Sequence, residues 1–547
     1  MFSKNYHILF IGLISLIVNI SCSKIEETVS QNQSSKYFAL QINIGSEPYT
    51  IDPSFNVTSD TLIYLRHIFE GLVTKDKDGK IIPAVAKNWT ISSDGLVYTF
   101  NLRDNAYWSD GKGVVAQDFV YSFRRLFDTN TKSKYAYQYN QYNMIKNAKD
   151  INIGKIEPKY LGVEAIDDYT LEIMLEMPLT YFLEILAYPT FYPLREDIIK
   201  AYGEKWTDSP QTLIGNGPFK VVERKFNEYI IMEKNELYWN TKEVIPSRLE
   251  FILRNDNEYS LSSVKSGLLH FSRNFPREYI SSLEKAGYIK NVPRISSYFY
   301  FINTTNKTLS DSNVRKALSL AIDRNYIVEK ITKSGERPAA ALVPYGVPGF
   351  FGDFRENGGD YIDITRNNYE NNIKEAKKLM MLAGYPNGNN FPTLTFKTTH
   401  GVHIYIFEAV QKMWKENLGI DVVIEELEWS DLLKQRFDKN IDIASGGWNG
   451  DLNDPINFLS IFLSSSPNNN SVYSNSRYDD LIKTASLIGD TSHRMMTMHK
   501  AEEILISDMA IIPIYFYNEP LLVSPKLKGV EYDPMGQYNF SKAYLLE

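Results

Sequence analysis

Three segments of the chain alternate apolar and polar residues with the two-residue period of a β-strand that has one buried face. In residues 40–44 the apolar side chains alternate with Gln41 and Asn43, and residues 98–102 and 171–175 follow the same pattern. We therefore predict a strand in each segment, with its apolar side chains facing a core.

Two other segments have the 3.6-residue period of an amphipathic helix. Asp311 precedes the first helix and can cap it, whereas Gly384 followed by Pro386 is typical of the end of the second. Strands that interleave with helices predict an α/β fold. The apolar residues that define the two helices are Val314, Ala317, Leu318, Ala321 and Ile322, then Ile373, Ala376, Met380 and Ala383.

The N-terminus has the pattern of a signal peptide. Lys4 is the single lysine, arginine or carboxylate residue before residue 24, and it is followed by an apolar run over residues 8–18 that is short for a membrane span. We predict that residues 1–21 are removed. Cys22, the one cysteine of the chain, would then become the first residue.

Residues 20–22, Ile-Ser-Cys, resemble a bacterial lipobox, although Asn19 stands where leucine is usual. A diacylglycerol thioether on Cys22, with fatty acyl chains such as palmitate, would hold the protein on a membrane. Residues 22–35 are polar and without a period, as in a flexible tether. The alternative is plain secretory cleavage beside an incidental cysteine. We expect the protein in the cell envelope, in the periplasm or at the cell surface, anchored to a membrane through Cys22.

Composition narrows the class of protein. The chain has 547 residues, which is enough for several lobes, and a formal net charge of −7. With no lysine- or arginine-rich run, a nucleic-acid partner is not expected. Motifs of zinc proteases, serine hydrolases and phosphate-binding loops are absent, so we expect neither an enzyme nor a cofactor.

Two short motifs resemble metal-binding sequences. Residues 76–79, Asp-Lys-Asp-Gly, resemble the start of a calcium loop, but later ligands are missing and a β-turn is favoured. His400 and His403 could ligate zinc, yet Gly401 disfavours a helical pair and no third ligand is evident. We predict no metal site.

Residues 445–455 combine glycines, a tryptophan and carboxylates. Gly446 and Gly447 would let a ligand approach the backbone, Trp448 offers a flat apolar wall, and Asp451 could hold an ammonium group. The same residues also fit a glycine-rich turn with a packing tryptophan and a capping aspartate. Taken alone, the segment leaves both interpretations open.

Together with other segments, these residues resemble the oligopeptide-binding receptors of ABC importers, bacterial solute-binding protein family 5. The similarity runs from about residue 40 to the C-terminus, and Pro-Ala-Val-Ala-Lys-Asn-Trp at 83–89 is the most specific motif. The other matching segments are residues 98–103, 108–111, 116–122, 161–168, 216–219, 313–318 and 512–515.

The resemblance implies a type II periplasmic-binding-protein clamp with an additional lobe. Lobe I would be discontinuous, built from residues 36–69, 193–295 and 519–547. Lobe II would cover residues 70–192 and lobe III residues 296–518. The three lobes are expected to close around a ligand by hinge motion.

The resemblance further implies a monomer that captures oligopeptides in extended form and delivers them to the permease of an ABC importer. Asp451 would anchor the peptide α-ammonium, and Trp429 and Trp448 would line side-chain pockets. Arg436 and His403 would surround the peptide and help to meet its carboxylate end. Further candidates are Gly446, Gly447, Tyr135, Tyr515 and Tyr517, with the backbone near Thr58 and Ser59.

Several positions depart from the family pattern. Ser445 and Thr332 stand where better-known members carry arginine and lysine, and Phe301 replaces an acidic residue. We therefore expect the peptide carboxylate to be bound more weakly than the peptide ammonium group. Ser296 and Asn449 occupy positions that form a disulfide in some relatives.

Other functions stay open at this point. The same receptor fold carries nickel complexes, haem or oligosaccharides in some members, and an adhesin or signalling receptor could use the same lobes. A hydrolase is disfavoured, because the sequence offers no nucleophile with a paired base.

Overall fold

The computed structural model describes residues 38–48, 50–55, 59–76, 79–133, 136, 144–450 and 452–547. A mixed, eleven-stranded sheet dominates the described chain. Ten of its strands are, in spatial order, Val422–Leu427, Leu394–Thr399, Ile443–Asn449, Ile289–Ile302, Ile511–Val523, Phe271–Ser272, Ala39–Asn43, Arg248–Ile252, Tyr229–Lys234 and Phe219–Lys225. The eleventh, Arg337–Pro338, pairs with Ile511–Val523.

A second, antiparallel sheet has four strands, in the order Ala86–Ile91, Val97–Leu102, Thr170–Met174 and Val163–Asp167. Three short antiparallel pairs of strands complete the sheets. They are Val73–Lys75 with Ile81–Pro83, Leu527–Lys528 with Tyr544–Leu545, and Glu531–Asp533 with Gln537–Asn539.

None of the α-helices in the described part of the chain is long and apolar enough to cross a membrane. They are Ser59–Ile68, Ala116–Phe127, Ala148–Asn152, Phe182–Leu186, Glu196–Tyr202, Asn257–Ser266, Ile280–Lys285, Ser312–Leu320, Arg324–Tyr326, Phe354–Gly358, Tyr369–Leu382, Val402–Leu418, Trp429–Phe437, Ile456–Leu459, Ser476–Leu487 and Thr491–Ser507. The α/β class predicted from the sequence is confirmed.

Two long strands, Ile289–Ile302 and Ile511–Val523, pair with each other at the centre of the large sheet. The second half of the first strand also pairs with Ile443–Asn449, and the end of the second strand pairs with Phe271–Ser272. Each half of the sheet therefore connects to the other through this pair. Strands of 14 and 13 residues were not expected from the short alternating segments in the sequence.

The predicted strands are present, with one correction. Residues 98–102 lie in Val97–Leu102 and residues 171–174 in Thr170–Met174. The alternating apolar side chains of these strands are buried: Tyr98, Phe100, Leu102, Leu171 and Ile173. In Ala39–Asn43, however, Asn43 is fully buried instead of facing solvent. Its amide donates to the Arg254 carbonyl (3.0 Å) and to Ser260 Oγ (2.8 Å). A central strand is covered on both faces, so a polar residue there has to be hydrogen-bonded.

Both predicted helices are confirmed. The Asp311 carboxylate accepts from the Asn313 backbone N–H and caps Ser312–Leu320. The five predicted apolar residues are all buried, although Ala321 and Ile322 lie just beyond the last residue of the helix. Tyr369–Leu382 buries its predicted residues Ile373, Ala376 and Met380. Ala383 at its C-cap is partly buried, and Gly384 follows with φ of 90°.

The predicted turn at residues 76–79 is confirmed for its described residues. Gly79 N–H donates to the Asp76 carbonyl (3.0 Å), and the flanking strands Val73–Lys75 and Ile81–Pro83 pair antiparallel. Asp76 Oδ1 accepts from the Lys80 backbone N–H. The Asp76 carboxylate thus stabilises the turn through this hydrogen bond, which agrees with the β-turn interpretation.

His67 joins the first helix to the C-terminal segment. Its ring is fully buried, with Nδ1 2.6 Å from the Ile63 carbonyl and Nε2 accepting from the Phe540 backbone N–H at 3.0 Å. Nδ1 must therefore carry the proton, and the ring is neutral. Burial lowers the pKa of His67 from 6.5 to about 4. Protonating Nε2 would set a second N–H against the Phe540 donor.

This neutral histidine makes stability depend on pH. A histidine pKa that is lower in the folded than in the unfolded chain stabilises the fold above pH 6.5, and that contribution is lost as pH falls towards 4. For pKa values of 6.5 and about 4, the loss at pH 4.5 is about 2.5 kcal/mol. The free energy of unfolding can be measured by urea denaturation at pH 7 and at pH 4.5. Between these pH values, His67→Gln should lose less of this free energy than wild type does, by roughly that amount.

Exposed His493 supplies the matched control. We expect His493→Gln to lose as much stability between the two pH values as wild type does. An equal loss in the His67→Gln protein would contradict the neutral, buried ring.

Candidate functional site

Several residues predicted for the site lie outside the described residues: Thr58, Tyr135 and Asp451, as well as the lipidation candidate Cys22. Ser59 begins the helix Ser59–Ile68. Five of the remaining candidates lie on the strands Ile443–Asn449 and Ile511–Val523: Gly446, Gly447, Trp448, Tyr515 and Tyr517. His403 and Trp429 lie in the first turns of the helices Val402–Leu418 and Trp429–Phe437, and Arg436 lies in the last turn of the second helix.

Gly446 and Gly447 lie within the strand Ile443–Asn449, so the glycine-rich turn considered from the sequence is wrong for these two residues. Neighbouring protein atoms occupy the space beside them. A Cβ at Gly446 would collide with the Phe301 ring, and one at Gly447 would lie 2.6 Å from the Ser297 carbonyl oxygen. The glycines let strands and rings pack closely at this point.

The next residues fix the end of this strand. Trp448 is partly buried, and its indole N–H donates to Asn457 Oδ1 at 2.9 Å. Asn449 lies opposite Ser296 in the register of the antiparallel pair, and Ser296 Oγ donates to Asn449 Oδ1 at 2.5 Å. A hydrogen bond thus joins the two positions that the resemblance associates with a disulfide.

Asp454, which the sequence did not distinguish from its neighbours, anchors the segment after Trp448. Arg494 donates two hydrogen bonds to its carboxylate, at 2.7 and 2.8 Å, and both side chains are buried. Asp454 Oδ1 also accepts from the Ile456 backbone N–H. A buried bidentate pair holds a segment firmly, because breaking it would leave a charge without a partner.

Arg436 is buried, with 7% of its surface exposed, and has no oxygen acceptor among the described residues. Its guanidinium lies 4.4 Å from the ring centre of Phe301 and 6.0 Å from that of Trp429, which is half exposed. Burial lowers the pKa of Arg436 from 12.5 to about 10. The other buried arginines of the described chain all have oxygen acceptors: Arg195, Arg315, Arg324, Arg355 and Arg494.

A row of aromatic rings contains three more candidates. His403 stacks on Tyr298 with ring centres 4.9 Å apart, and Tyr298 stacks on Tyr515 at 4.8 Å. Tyr517 meets Tyr515 edge to face at 5.0 Å. His403 Nδ1 is buried and has no hydrogen-bond partner in the part of the chain that the structure describes, and burial lowers the pKa of this histidine.

The two groups of candidates lie on different sides of one strand. Arg436 and Trp429 approach Phe301, whereas His403 and Tyr515 approach Tyr298. Residues three positions apart on a strand point to opposite faces. This separation was not predictable from the sequence, because it depends on the register of the long strand.

The positions that depart from the family pattern have local partners. Ser445 is buried in its strand opposite Tyr300, and Thr332 Oγ1 donates to Glu336 Oε2 at 2.7 Å. Neither side chain carries a positive charge. Arg436 is therefore the buried cation that remains available in this region of the described chain.

His400 and His403 do not form a metal pair. His400 precedes the helix Val402–Leu418 and contacts Glu426 and Glu428, whereas His403 lies in the first turn and stacks on Tyr298. Within the described ranges, no group of three histidine, cysteine or carboxylate side chains is arranged to hold a metal ion.

A cavity of about 540 Å³ has a wall to which none of the described candidates contributes. Asn453, Glu70 and the loop 346–353 line it. The Glu70 carboxylate accepts from the Tyr238 hydroxyl (2.5 Å) and the Trp239 indole N–H (2.6 Å), and burial raises its pKa from 4.5 to about 7. Sequence reasoning missed this cavity, since its wall combines segments that are far apart in the chain.

Comparison with known proteins places the chain in a family. Residues 80–470 match the model of bacterial extracellular solute-binding proteins, family 5. The periplasmic murein peptide-binding protein MppA of Escherichia coli is 34% identical over 522 residues, which are 94% of each chain.

Two solved structures extend the comparison. The unliganded open form of MppA superposes with a TM-score of 0.84 at 33% identity, covering 93% of this chain and 98% of that one. Haemophilus influenzae OppA in complex with the peptide RPPGFSPFR gives a TM-score of 0.69 at 31% identity, covering 94% and 100%. From the family match and these full-length similarities, the chain belongs to the bacterial extracellular solute-binding proteins, family 5.

Proposed function

We propose that this protein is an extracytoplasmic receptor that captures oligopeptides in extended form and delivers them to an ABC-type importer. The observation that carries the proposal is Arg436, a buried cation without an oxygen partner among the described residues, within a family of solute receptors. A desolvated guanidinium is stabilised by a carboxylate, and every peptide with a free C-terminus supplies one.

The likeness to an open receptor supports a clamp. The chain resembles the unliganded open MppA more closely than the peptide complex of OppA, although the sequence identities are similar. We infer an open clamp with lobe I at residues 36–69, 193–295 and 519–547, lobe II at 70–192 and lobe III at 296–518. A monomer of this kind binds, closes and presents its ligand, and it needs no catalytic group.

The amino end of the peptide is assigned to Asp451. This residue follows Trp448 by three positions, where the family resemblance places the α-ammonium anchor. The neighbouring Asp454 forms a buried ion pair with Arg494, so its carboxylate is not available to bind a ligand ammonium group. That contrast favours Asp451 over Asp454.

Replacing Asp451 should therefore weaken peptides that have a free amino group. A charge-assisted contact in a desolvated site is worth about 2–5 kcal/mol when one partner is removed, or about tens- to thousands-fold in affinity. Asp451→Asn keeps the shape and removes the charge. Calorimetry with one peptide and its N-acetylated form should show the loss for the free peptide alone.

The Arg436→Gln protein provides the counterpart at the other end of the peptide. Arg436→Gln should lower the affinity for a peptide with a free C-terminus and leave the affinity for its C-terminal amide as in wild type. We expect this loss of affinity to be smaller than the loss that Asp451→Asn causes. If Asp451→Asn weakens the free and acetylated peptides equally, or neither of them, the assignment of the amino anchor is wrong.

The proposal includes a membrane anchor at Cys22. The single cysteine follows a signal-like segment, and two or three acyl chains would retain the protein durably. Detergent phase partitioning should place the processed wild-type protein in the detergent phase and Cys22→Ser in the aqueous phase. Processed wild-type protein found wholly in the aqueous phase would contradict lipidation.

A further inference from the structure

A carboxylate lies beside the row of aromatic rings that contains three of the candidate residues. The short strand Arg337–Pro338 runs antiparallel to the strand of Tyr515, and Pro338 lies opposite Tyr515. Continued along the chain, this register puts Glu336 opposite Tyr517. Opposite residues of an antiparallel pair have their side chains on the same face of the sheet, as do residues two apart on one strand. Glu336 therefore shares a face with Tyr515 and Tyr517.

The electrostatics agree with this placement. Burial raises the pKa of Tyr515 and of Tyr517, and the charge of Glu336 raises each of them further. A carboxylate has this effect on a phenol only where the two groups lie close together, because solvent screens more distant charges. The Glu336 carboxylate is thus a neighbour of the end of the aromatic row.

One oxygen of this carboxylate is held by the protein, and the other is open. Glu336 Oε2 accepts from Thr332 Oγ1 at 2.7 Å and from the Ser334 backbone N–H at 3.0 Å. Oε1 has no hydrogen-bond partner in the described part of the chain, and it is not buried, since it is absent from the fully covered atoms that lack a partner. The side chain therefore has a fixed direction and an acceptor that a ligand can reach.

Within the described residues, no lysine or arginine forms an ion pair with Glu336. Arg337, the next residue, has its guanidinium 4.6 Å from the ring centre of Tyr345. Arg277 is within range of the Glu336 charge, but its guanidinium donates to the Pro520 carbonyl at 2.9 Å. The two arginines near Glu336 are thus engaged elsewhere, and its negative charge is left for a ligand to meet.

Tyr517 supplies an aromatic ring next to this charge. Tyr298 stacks between His403 and Tyr515, and Tyr298 and Tyr515 are each 2% exposed. Tyr517 meets Tyr515 edge to face and is only half-buried, so the row ends at a ring that a ligand can contact. A carboxylate and an aromatic ring together favour a cation, because both attract positive charge.

The two sides of the strand Ile289–Ile302 therefore carry opposite charges without an ion-pair partner. The Arg436 guanidinium lies beside Phe301 on one side, and the Glu336 carboxylate lies beside Tyr517 on the other. A carboxylate of a ligand is attracted to the first position and repelled from the second, whereas a cationic group has the reverse preference. The charges thus favour a ligand that has a positive side chain as well as a carboxylate.

We propose that Glu336 and Tyr517 form a subsite for an alkylammonium or guanidinium group, carried by a lysine or arginine side chain of the bound peptide. The proposal rests on the proposed peptide function, because Tyr515, Tyr517 and His403 are candidates for contact with the peptide. It adds a preference for basic peptides to that function. The residue that holds the carboxylate, Thr332, is neutral, so the ligand has to supply the cation.

Calorimetry at pH 7.5 and low ionic strength can test this with the processed protein and a series of alanine tetrapeptides. Each position in turn carries lysine in one peptide and norleucine, which has a similar length without the charge, in its counterpart. At one position of the series, wild type should bind the lysine peptide about fivefold or more tightly than the norleucine peptide. At the positions that do not reach the subsite, the two peptides should bind alike.

Variants of the subsite should remove the preference for lysine. Glu336→Gln should bring the ratio of the two affinities close to one, because the amide oxygen can still accept from Thr332 and Ser334 but the charge is gone. Thr332→Lys should do the same, because it provides Glu336 with a cation from within the protein. Thr332→Lys tests the proposal even where Glu336→Gln fails to fold. Glu370→Gln is the matched control, since Glu370 is an exposed glutamate on the helix Tyr369–Leu382, and it should keep the wild-type ratio.

The outcomes separate the inference from the function on which it rests. If lysine and norleucine peptides bind equally at every position, the peptide function stands and the cationic subsite is wrong. If wild type prefers lysine at one position and Glu336→Gln keeps that preference, another group binds the cation and the assignment to Glu336 is wrong. If no peptide of the series binds, the peptide function fails and the inference fails with it.

Discussion

The antiparallel pairing of Ile289–Ile302 with Ile511–Val523 is the interaction on which the rest of the structure depends. These two strands carry both halves of the large sheet, and their pairing is irregular between Pro293 and Ser297. A proline cannot donate a ladder hydrogen bond, so the ladder is weakest at this point. The same region is where lobes I and III of the proposed clamp would meet, which makes it a natural place for bending.

On one side of this junction, Glu519 ties the crossing strand to its surroundings. Its carboxylate accepts from Arg273 (3.0 Å) and from the Tyr538 hydroxyl (2.7 Å), and it lies 3.2 Å from Arg294. On the other side, the rings of Tyr298 and Tyr515 stack across the pair. The junction is thus stiff on either side of the irregular segment, as a hinge between rigid bodies requires.

Local features of the fold were predictable from the sequence, because they depend on neighbours in the chain. The cap at Asp311, the helix end at Gly384 and the alternating strands follow from periodicity and from residue preferences. Buried Asn43 was not predictable, since it depends on contacts with Arg254 and Ser260, more than 200 residues away.

The candidate site was predictable only where its residues share one segment. The sequence singled out residues 445–455, yet it could not tell Asp451 from Asp454, whose partner Arg494 lies 40 residues further on. The sequence suggests that Gly446 and Gly447 make room for a ligand, whereas in the structure the Phe301 ring and the Ser297 carbonyl occupy the space beside them. The cavity beside Asn453 needed segments from across the chain.

The proposed open clamp should become more compact when it closes on a peptide. Small-angle X-ray scattering of the processed protein, without ligand and with a saturating peptide, measures closure directly. We expect a smaller radius of gyration when peptide is bound. An unchanged radius of gyration, with binding of the same peptide confirmed by calorimetry, would contradict it.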